Sequence, residues 1–369
     1  MPNAGGYFFS SRRLWGDTGM RIATILLLGL AALVPAAIAG APPAAAQTFG
    51  QASAAYKRGD YATAIRGFRR LAERGNAKAQ HNLGVMYDKG LGVRREYAEA
   101  IRWYRRAAEQ GTARAQHNLG VMYDKGLGVR REYAEAIRWY RRAAEQGKAR
   151  AQENLGRMYE YGKGVRRSDV EAVRWYRRAA EQGDAKANFN LGRMYVMGRG
   201  VRRDYAEAAR RYRRAAEQGI AEAQLNLAVM YARGRGVPKD TTEFLRWLIR
   251  AAEGGNASAQ SILGAISEKT GKLVQAYKWY SLAASAPDAK VRSKAAENMR
   301  RVGQRMTPGA IARAKRLALA WRPKRLRSRP AAAQPRKQQA RPAPQRQPVS
   351  SAPGQEESED APESIGGDR

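Results

Sequence analysis

A single repeat dominates this chain. Residues 79–111 recur letter for letter at residues 115–147, an offset of 36 residues. Diverged copies continue at the same offset and close at Gly183, Gly219 and Gly255. A fixed period of this length means that each unit is one supersecondary element that buries its apolar face only against its neighbours. The chain is therefore predicted to form a solenoid, whose extended surface is better suited to binding than to catalysis.

Each unit contains two amphipathic helices. The apolar stripe of the first helix in one unit is Ala115, Leu119, Met122 and Tyr123. Residues 124–129 contain two glycines, which end this helix and turn the chain. A second stripe follows over residues 136–144, and the small Gly120 and Ala143 mark places where two helix backbones approach closely. No segment alternates as a strand does, so the predicted fold class is all-α.

The fixed positions form the pattern A-x-x-x-L-G-x-x-Y-x-x-G-x-G-V-x-x-(D/E)-x-x-x-A-x-x-W-x-x-x-A-A-x-x-G over residues 76–255. This pattern resembles the Sel1-like repeat, a relative of the tetratricopeptide repeat with a longer inter-helix loop. The resemblance implies a right-handed α-solenoid of helix-turn-helix units. One unit departs from the pattern, because Arg211 stands where Trp103, Trp139 and Trp175 stand elsewhere. We expect Tyr212 to repack into that place.

The pattern also divides the chain into segments. A helix pair with a short turn at Gly59 resembles a tetratricopeptide unit, and Thr307 followed by Pro308 predicts the start of a last helix. Solenoids need such atypical ends to cover the core. The predicted segments are a signal peptide (1–46), a helix pair (51–75), five repeats (76–111, 112–147, 148–183, 184–219 and 220–255), a shortened sixth repeat (256–286), capping helices (287–321) and a tail (322–369).

The two ends of the chain have their own composition. Arg21 precedes an apolar run at 22–34, and small residues at 44–46 follow, which is typical of an export signal. Met20 is an alternative start, a twin-arginine signal is an alternative to a general secretory one, and an uncleaved membrane anchor is an alternative to cleavage. The tail is rich in Pro, Gln, Arg and Glu, so we expect it to be disordered, either as a solvated spacer or in contact with the solenoid or a partner. The predicted location is the bacterial periplasm.

Residues that carry enzyme chemistry are scarce. The chain has no cysteine, which excludes thiolate metal sites and cysteine nucleophiles. His81 and His117 occupy one repeat position, a full unit apart, and are expected to lie too far apart to share a metal ion. The carboxylates Asp88/Asp124, Glu99/Glu135 and Glu109/Glu145 also recur once per unit and are expected to pair with nearby arginines at the surface. We therefore predict a non-enzyme without a cofactor.

The net charge of +35 at pH 7 is carried mostly by the solenoid, through arginine pairs that return once per unit. These pairs predict parallel basic stripes along the solenoid. One interpretation is attraction to anionic envelope glycans or lipid headgroups, with nucleic acid a less suitable partner for an exported protein. The other is an arginine-rich solvated face. The pairs are Arg94-Arg95, Arg130-Arg131, Arg166-Arg167 and Arg202-Arg203 in loops, and Arg105-Arg106, Arg141-Arg142, Arg177-Arg178 and Arg213-Arg214 in second helices.

An asparagine recurs at one place in each first helix: Asn82, Asn118, Asn154, Asn190 and Asn226. Asparagine is a mediocre helix former, so this ladder needs a partner. By the resemblance, first helices line the concave face, where the amides would bind a peptide backbone. Alternatively, each amide bonds the loop of the neighbouring unit and sets the repeat spacing. Three residues further on the side chains vary, and Arg157 and Arg193 join the candidate partner-binding residues.

These observations lead to one functional prediction. The chain is expected to be a non-catalytic scaffold or adaptor of the cell envelope that binds protein partners on the solenoid surface. The alternatives are a cell-wall-active hydrolase, such as a β-lactamase-like enzyme, and a direct binder of anionic envelope glycans. No membrane span is expected once the signal is removed.

Overall fold

The structure is a computed structural model that describes residues 48–323. This part of the chain forms sixteen α-helices and no strand. The helices are α1 (Phe49–Arg58), α2 (Tyr61–Glu73), α3 (Ala77–Lys89), α4 (Tyr97–Glu109), α5 (Ala113–Lys125), α6 (Tyr133–Glu145), α7 (Ala149–Tyr161), α8 (Asp169–Glu181), α9 (Ala185–Met197), α10 (Tyr205–Glu217), α11 (Ala221–Arg233), α12 (Thr241–Glu253), α13 (Ala257–Lys269), α14 (Leu273–Ala283), α15 (Ala289–Gly303) and α16 (Pro308–Leu319).

Contacts between helices follow the order of the chain. Each odd-numbered helix up to α13 packs against the next even-numbered helix, which then packs against the first helix of the following pair. Helices α15 and α16 both pack against α14 and close the array. This arrangement of repeated pairs confirms the predicted all-α solenoid.

Two glycines shape the unit where side chains would not fit. Gly128, in the loop, has φ +70°, and a Cβ atom there would lie 2.5 Å from Cβ of Tyr97 in the preceding unit. Gly120, inside α5, packs against the ring of Tyr140, where a Cβ atom would lie 2.6 Å from the nearest ring carbon. The second glycine therefore lets α5 and α6 approach closely, as the sequence predicts.

Buried amides join one unit to the next. Nε2 of Gln116 donates to the carbonyl oxygen of Ala108 at 3.1 Å, at the end of α4. Oε1 of the same side chain accepts from Gln146 at 2.7 Å. The equivalent glutamines are Gln80, Gln152, Gln224 and Gln260, which donate to Ala72, Ala144, Ala216 and Ala252. Each of these carbonyl groups also accepts the backbone N–H of the glycine that follows its helix. The glutamine therefore adds a second bond there, which joins each first helix to the end of the preceding second helix.

The unit with Arg211 corrects one expectation. Tyr212 does not move into the tryptophan place; it is 3% exposed and packs against Gly192, as Tyr140 packs against Gly120. The expectation of repacking is therefore wrong, because Tyr212 is needed over its own glycine. Arg211 stays in the tryptophan place, and its Nε lies 2.5 Å from Oε1 of Glu207.

The ends of the described chain use ordinary helix signals. Gly59 adopts φ +83° between α1 and α2. The Thr307 hydroxyl accepts from the backbone N–H of Ala310, and Pro308 occupies the first turn of α16. The predicted signal peptide (1–46) and nearly all of the predicted disordered tail lie outside the described residues. Between residues 48 and 323, no helix is both long and apolar enough to cross a membrane.

Candidate partner-binding face

The asparagine ladder lies on what we call the first-helix face, which is the surface formed by α3, α5, α7, α9 and α11. Its side chains come from the asparagine position, the residue before it, and the residues three, six and seven positions after it. Two clefts open on this face. Four of the asparagines are partly exposed, whereas Asn190 is buried.

Three of the asparagines bond a side chain on the first helix of the preceding unit. Nδ2 of Asn118 lies 3.3 Å from Nε2 of His81, and Nδ2 of Asn154 lies 3.2 Å from Nε2 of His117. Nδ2 of Asn190 donates to Oε1 of Glu153 at 3.1 Å. The partner of each of these amides is thus a side chain on the first helix of the preceding unit. The alternative expectation, a bond to the loop of the neighbouring unit, is wrong for these three asparagines. The role of these amides in binding a partner stays a prediction.

The two histidines extend this ladder. Nδ1 of His117 lies 3.3 Å from Oδ1 of Asn118, so its ring connects the amides of two units. Burial lowers the pKa of His117 to about 4, and nearby Lys148 and Arg150 act in the same direction. Burial also lowers the pKa of His81. Neutral imidazoles therefore link the units at pH 7. Within residues 48–323 no group of three or more His, Cys, Asp or Glu side chains is placed to hold a metal ion.

A second series pairs a carboxylate with a core tyrosine. The Tyr176 hydroxyl donates to Oε2 of Glu160 at 2.8 Å, and the Tyr140 hydroxyl lies 3.4 Å from Oδ2 of Asp124. In the first repeat, Asp88 lies beside Tyr104, and burial raises the pKa of this aspartate. The expected pairing of Asp88 and Asp124 with surface arginines is therefore wrong, because both are half-buried beside tyrosines.

The glutamates of the second helices differ among themselves. Glu99 and Glu135 pair with Arg102 and Arg138 as expected. Glu109 and Glu145 are exposed and make no ion pair within the described chain, so the expected pairing of these two is wrong.

Arg193 belongs to a charged cluster between the third and fourth repeats. Its guanidinium lies 3.2 Å from Oε1 of Glu160, whose side chain is 1% exposed. Arg199 lies 3.6 Å from the same oxygen and also forms a two-pronged pair with Asp169, at 2.6 and 3.0 Å. Arg193 is therefore held by its own chain, although it still borders a cleft.

Arg157 borders a charged cleft of about 740 Å³. The cleft crosses α5 and α7 and reaches the starts of α9 and α11. Both signs of charge line it, with Lys148, Arg150 and Lys186 near Glu153 and Asp184. Such a surface favours polar and charged side chains of a partner.

An apolar cleft of about 560 Å³ lies further along the same face, between α9 and α11. Asn226 borders it, and so does Tyr212, whose pKa burial raises to about 12. Its apolar lining is Phe189, Val196, Met197, Leu225 and Val229. The first-helix face therefore changes from charged to apolar along the solenoid.

The repeat architecture can be compared with known proteins. A model of the Sel1 repeat matches residues 77–112, 113–148, 149–184, 185–220, 221–256 and 270–288, which is more than half of the chain. The chain belongs to the Sel1 repeat family.

Two solved Sel1 structures are similar to this one. A Sel1 repeat protein from Oxalobacter formigenes shares 37% identity with a TM-score of 0.56, over 68% of this chain and 94% of that chain. The protein c5321, a protective antigen of uropathogenic Escherichia coli with an SLR fold, shares 34% identity with a TM-score of 0.58, over 73% of this chain and 62% of that chain. No curated protein matches.

The arginines of the second Sel1 helices, which form two of the predicted stripes, have contacts of their own. Arg141 donates to the Tyr159 hydroxyl of the next unit at 3.0 Å, and the guanidinium carbon of Arg142 lies 4.7 Å from the centre of the Trp139 ring. Equivalent tyrosine contacts come from Arg105, Arg177 and Arg213, and equivalent tryptophan contacts from Arg106, Arg178 and Arg250. These side chains remain exposed or partly exposed, but they also pack over the joints between units.

The residues that distinguish the two clefts were not among the predicted site residues. Beside each asparagine the residue changes along the chain, in the order His81, His117, Glu153, Phe189 and Leu225. The carboxylate series is likewise interrupted at Val196 and returns only at Glu268, which accepts from the Tyr280 hydroxyl. The signal was present as departures from the Sel1 pattern, yet only the structure shows that these positions border one surface.

Proposed function

We propose that this protein is a non-catalytic scaffold that binds a protein partner along the first-helix face. Sel1 and related tetratricopeptide-like repeats generally mediate protein–protein interactions. The proposal extends that general role to a defined surface of this chain.

One observation carries the proposal. From the third repeat onward the core residues stay nearly fixed, whereas the side chains around the asparagine on the first-helix face change from unit to unit and border two clefts. The core cannot vary without loss of packing, whereas a surface fitted to one partner must vary along its length. The two clefts have the dimensions of sites that receive side chains or small ligands.

Site-specific photo-crosslinking in the native cell tests this face. A photoreactive amino acid replaces Val121, Arg157 or Val229 on the first-helix face, or Arg102 or Arg174 on exposed second helices as matched controls. The expected result is a covalent adduct with one protein from the first-helix positions and little from the controls. Adducts confined to the second-helix positions would place the partner on the opposite surface and overturn the proposal.

We also propose that the scaffold works in the bacterial cell envelope. The support is the order of charge, apolar run and small residues within positions 21–46. Fractionation and N-terminal sequencing of the native protein test it, with a mature start at or near Gln47 in the periplasm as the expected result. An intact Met1 or Met20 on cytoplasmic material would contradict this location.

The net charge supports a second candidate, direct binding of an anionic envelope glycan. The loop arginines Arg94, Arg95, Arg130 and Arg131 are exposed. Retention of the protein on an anionic polysaccharide resin, compared with a neutral one, tests it. Binding that falls steeply with added salt supports this candidate, and equal retention on both resins counts against it.

A further inference from the structure

The apolar cleft between α9 and α11 arises from local departures from the repeat. Val196 stands where Glu160 binds the core tyrosine in the preceding unit, and Phe189 stands where Glu153 binds an asparagine. On the next helix Leu225 continues the change. Two repeat positions of one face have thus become apolar, one of them in two adjacent units, and Tyr212 keeps its place without the carboxylate.

This apolar surface remains open in the described chain. Met197 is 53% exposed, and Phe189, Val196, Leu225 and Val229 are only partly buried. Contiguous exposed apolar surface is unfavourable in water and commonly marks a binding site. A cleft of this size has room for one large apolar side chain.

The rim of the cleft is positively charged. Arg233 and Arg235 border it, against the single carboxylate of Glu222, while the charge of Arg193 is paired with Glu160. Arg233 and Arg235 are exposed, so they can pair with carboxylates of a ligand at a small cost in desolvation. The charge of the whole chain has the same sign.

Taking these features together, we infer that this cleft is an anchor site for a leucine or similar large apolar side chain within an acidic segment of a partner protein. The apolar side chain enters between α9 and α11, and flanking carboxylates meet Arg233 and Arg235. Asn226, whose side chain also bonds Tyr212, borders the path of the peptide backbone. This inference rests on the proposed scaffold function. It adds the chemical class of the partner segment that one cleft binds.

A labelled peptide measures the binding directly. The probe is a peptide of about 12 residues, which spans about 40 Å when extended, with one central leucine among Asp, Glu and Ser. Fluorescence anisotropy with the full chain is expected to show binding that weakens about tenfold or more when the leucine becomes alanine. Replacement of the acidic residues by lysine is expected to abolish binding. Equal binding of the leucine and alanine peptides would overturn the inference.

Two variants connect the binding to the cleft. Val196→Glu restores the residue type that faces Tyr176 one unit earlier, so the fold can accommodate it, and it places a carboxylate in the cleft. Met197→Ser alters an exposed side chain, which keeps the test valid if the first variant melts early. Both are expected to weaken peptide binding, whereas Val170→Ser, which alters an exposed apolar side chain of α8 outside the cleft, is expected to leave it unchanged. Unchanged binding in Met197→Ser would contradict the inference.

The acidic residues 356–363 of this same chain are the other possible occupant. The ring of Trp321 and Pro323 lie beside Gly255, which adjoins Asn256 at the cleft. A variant that ends at Pro353 distinguishes the two. Binding of the peptide only by this variant would mean that the protein covers its own cleft, against the inference. Crosslinks at Val121 or Arg157 would persist in that case, so the proposed function would survive separately.

Discussion

At the scale of single residues, the main finding is that polar side chains on one face bond one another across units. His117 connects Asn118 of its own helix with Asn154 of the next. Such half-buried groups stabilise the array only while both partners are present, because a buried polar group without a partner costs more than the bond gains.

The asparagines give the first prediction. Removal of two ladder amides in Asn118→Ala/Asn154→Ala leaves both imidazoles without a partner in the next unit. We expect the free energy of unfolding to fall by about 1–3 kcal/mol for each group left unpaired, measured by urea denaturation. An unchanged stability together with loss of the crosslinked partner would instead assign the ladder to binding.

The second prediction concerns pH. The folded-state pKa of His117 is about 4, below its ordinary value of 6.5. Between these values the unfolded chain binds more protons than the folded one, so this group makes the protein less stable as the pH falls from 6.5 towards 4. Glu153, whose pKa burial raises, acts in the opposite direction.

Urea midpoints at several pH values check this contribution. His117→Gln keeps a polar side chain that does not titrate and leaves Glu153 in place. We expect a shallower loss of stability in the variant than in the native protein between pH 6.5 and 4. Parallel curves for the two proteins would show that His117 does not contribute.

At the scale of helices, each second helix has two faces with different roles. Trp139 is 9% exposed and packs within the core, with Arg142 over its ring. Arg141, two residues on, is exposed, and its bond to Tyr159 lies at the surface. Burial of the first side chain and hydration of the second predict very different costs of truncation.

Trp139→Ala is expected to lower the free energy of unfolding by about 3–5 kcal/mol, because it leaves a cavity between units. Arg141→Ala should change it by no more than about 0.5 kcal/mol, since exposed hydrogen bonds exchange readily with water. Chemical denaturation of both variants decides the matter. Similar losses in the two proteins would mean that the arginine contact is part of the joint between units.

At the scale of the whole molecule, stability is nearly a sum over units and their interfaces, because contacts are confined to neighbours along the chain. Removal of residues 112–147 takes out α5 and α6 and brings α4 against α7. Asn154 then stands where Asn118 stood, opposite His81.

We expect this deletion to give a shorter protein that still melts cooperatively, measured by circular dichroism. The helix content per residue of its repeats should match that of the repeats in the native chain. The control is a shorter deletion, from residue 112 to Gly120, which ends inside α5. It breaks the repeat register, so this variant should unfold. Loss of cooperative melting in the in-frame deletion would contradict the unit boundaries.

The sequence by itself determined the helices, their pairing and the core of this protein. A solenoid has mainly local contacts, so the period, the glycines at 120 and 128 and the apolar stripes are enough to predict which faces are buried. The capping of α16 by Thr307 was equally visible, because it depends on adjacent residues.

Only the tertiary structure decided what the polar and variable residues do. It showed that Asn118 meets His81 of the preceding helix, that Tyr212 keeps its place over Gly192, and that Arg141 bonds the next unit. It also brought Phe189 and Leu225 together at one cleft. The physical reason is that these contacts join residues 18 to 37 positions apart, and the rise and rotation between units, which no single unit encodes, set which side chains meet.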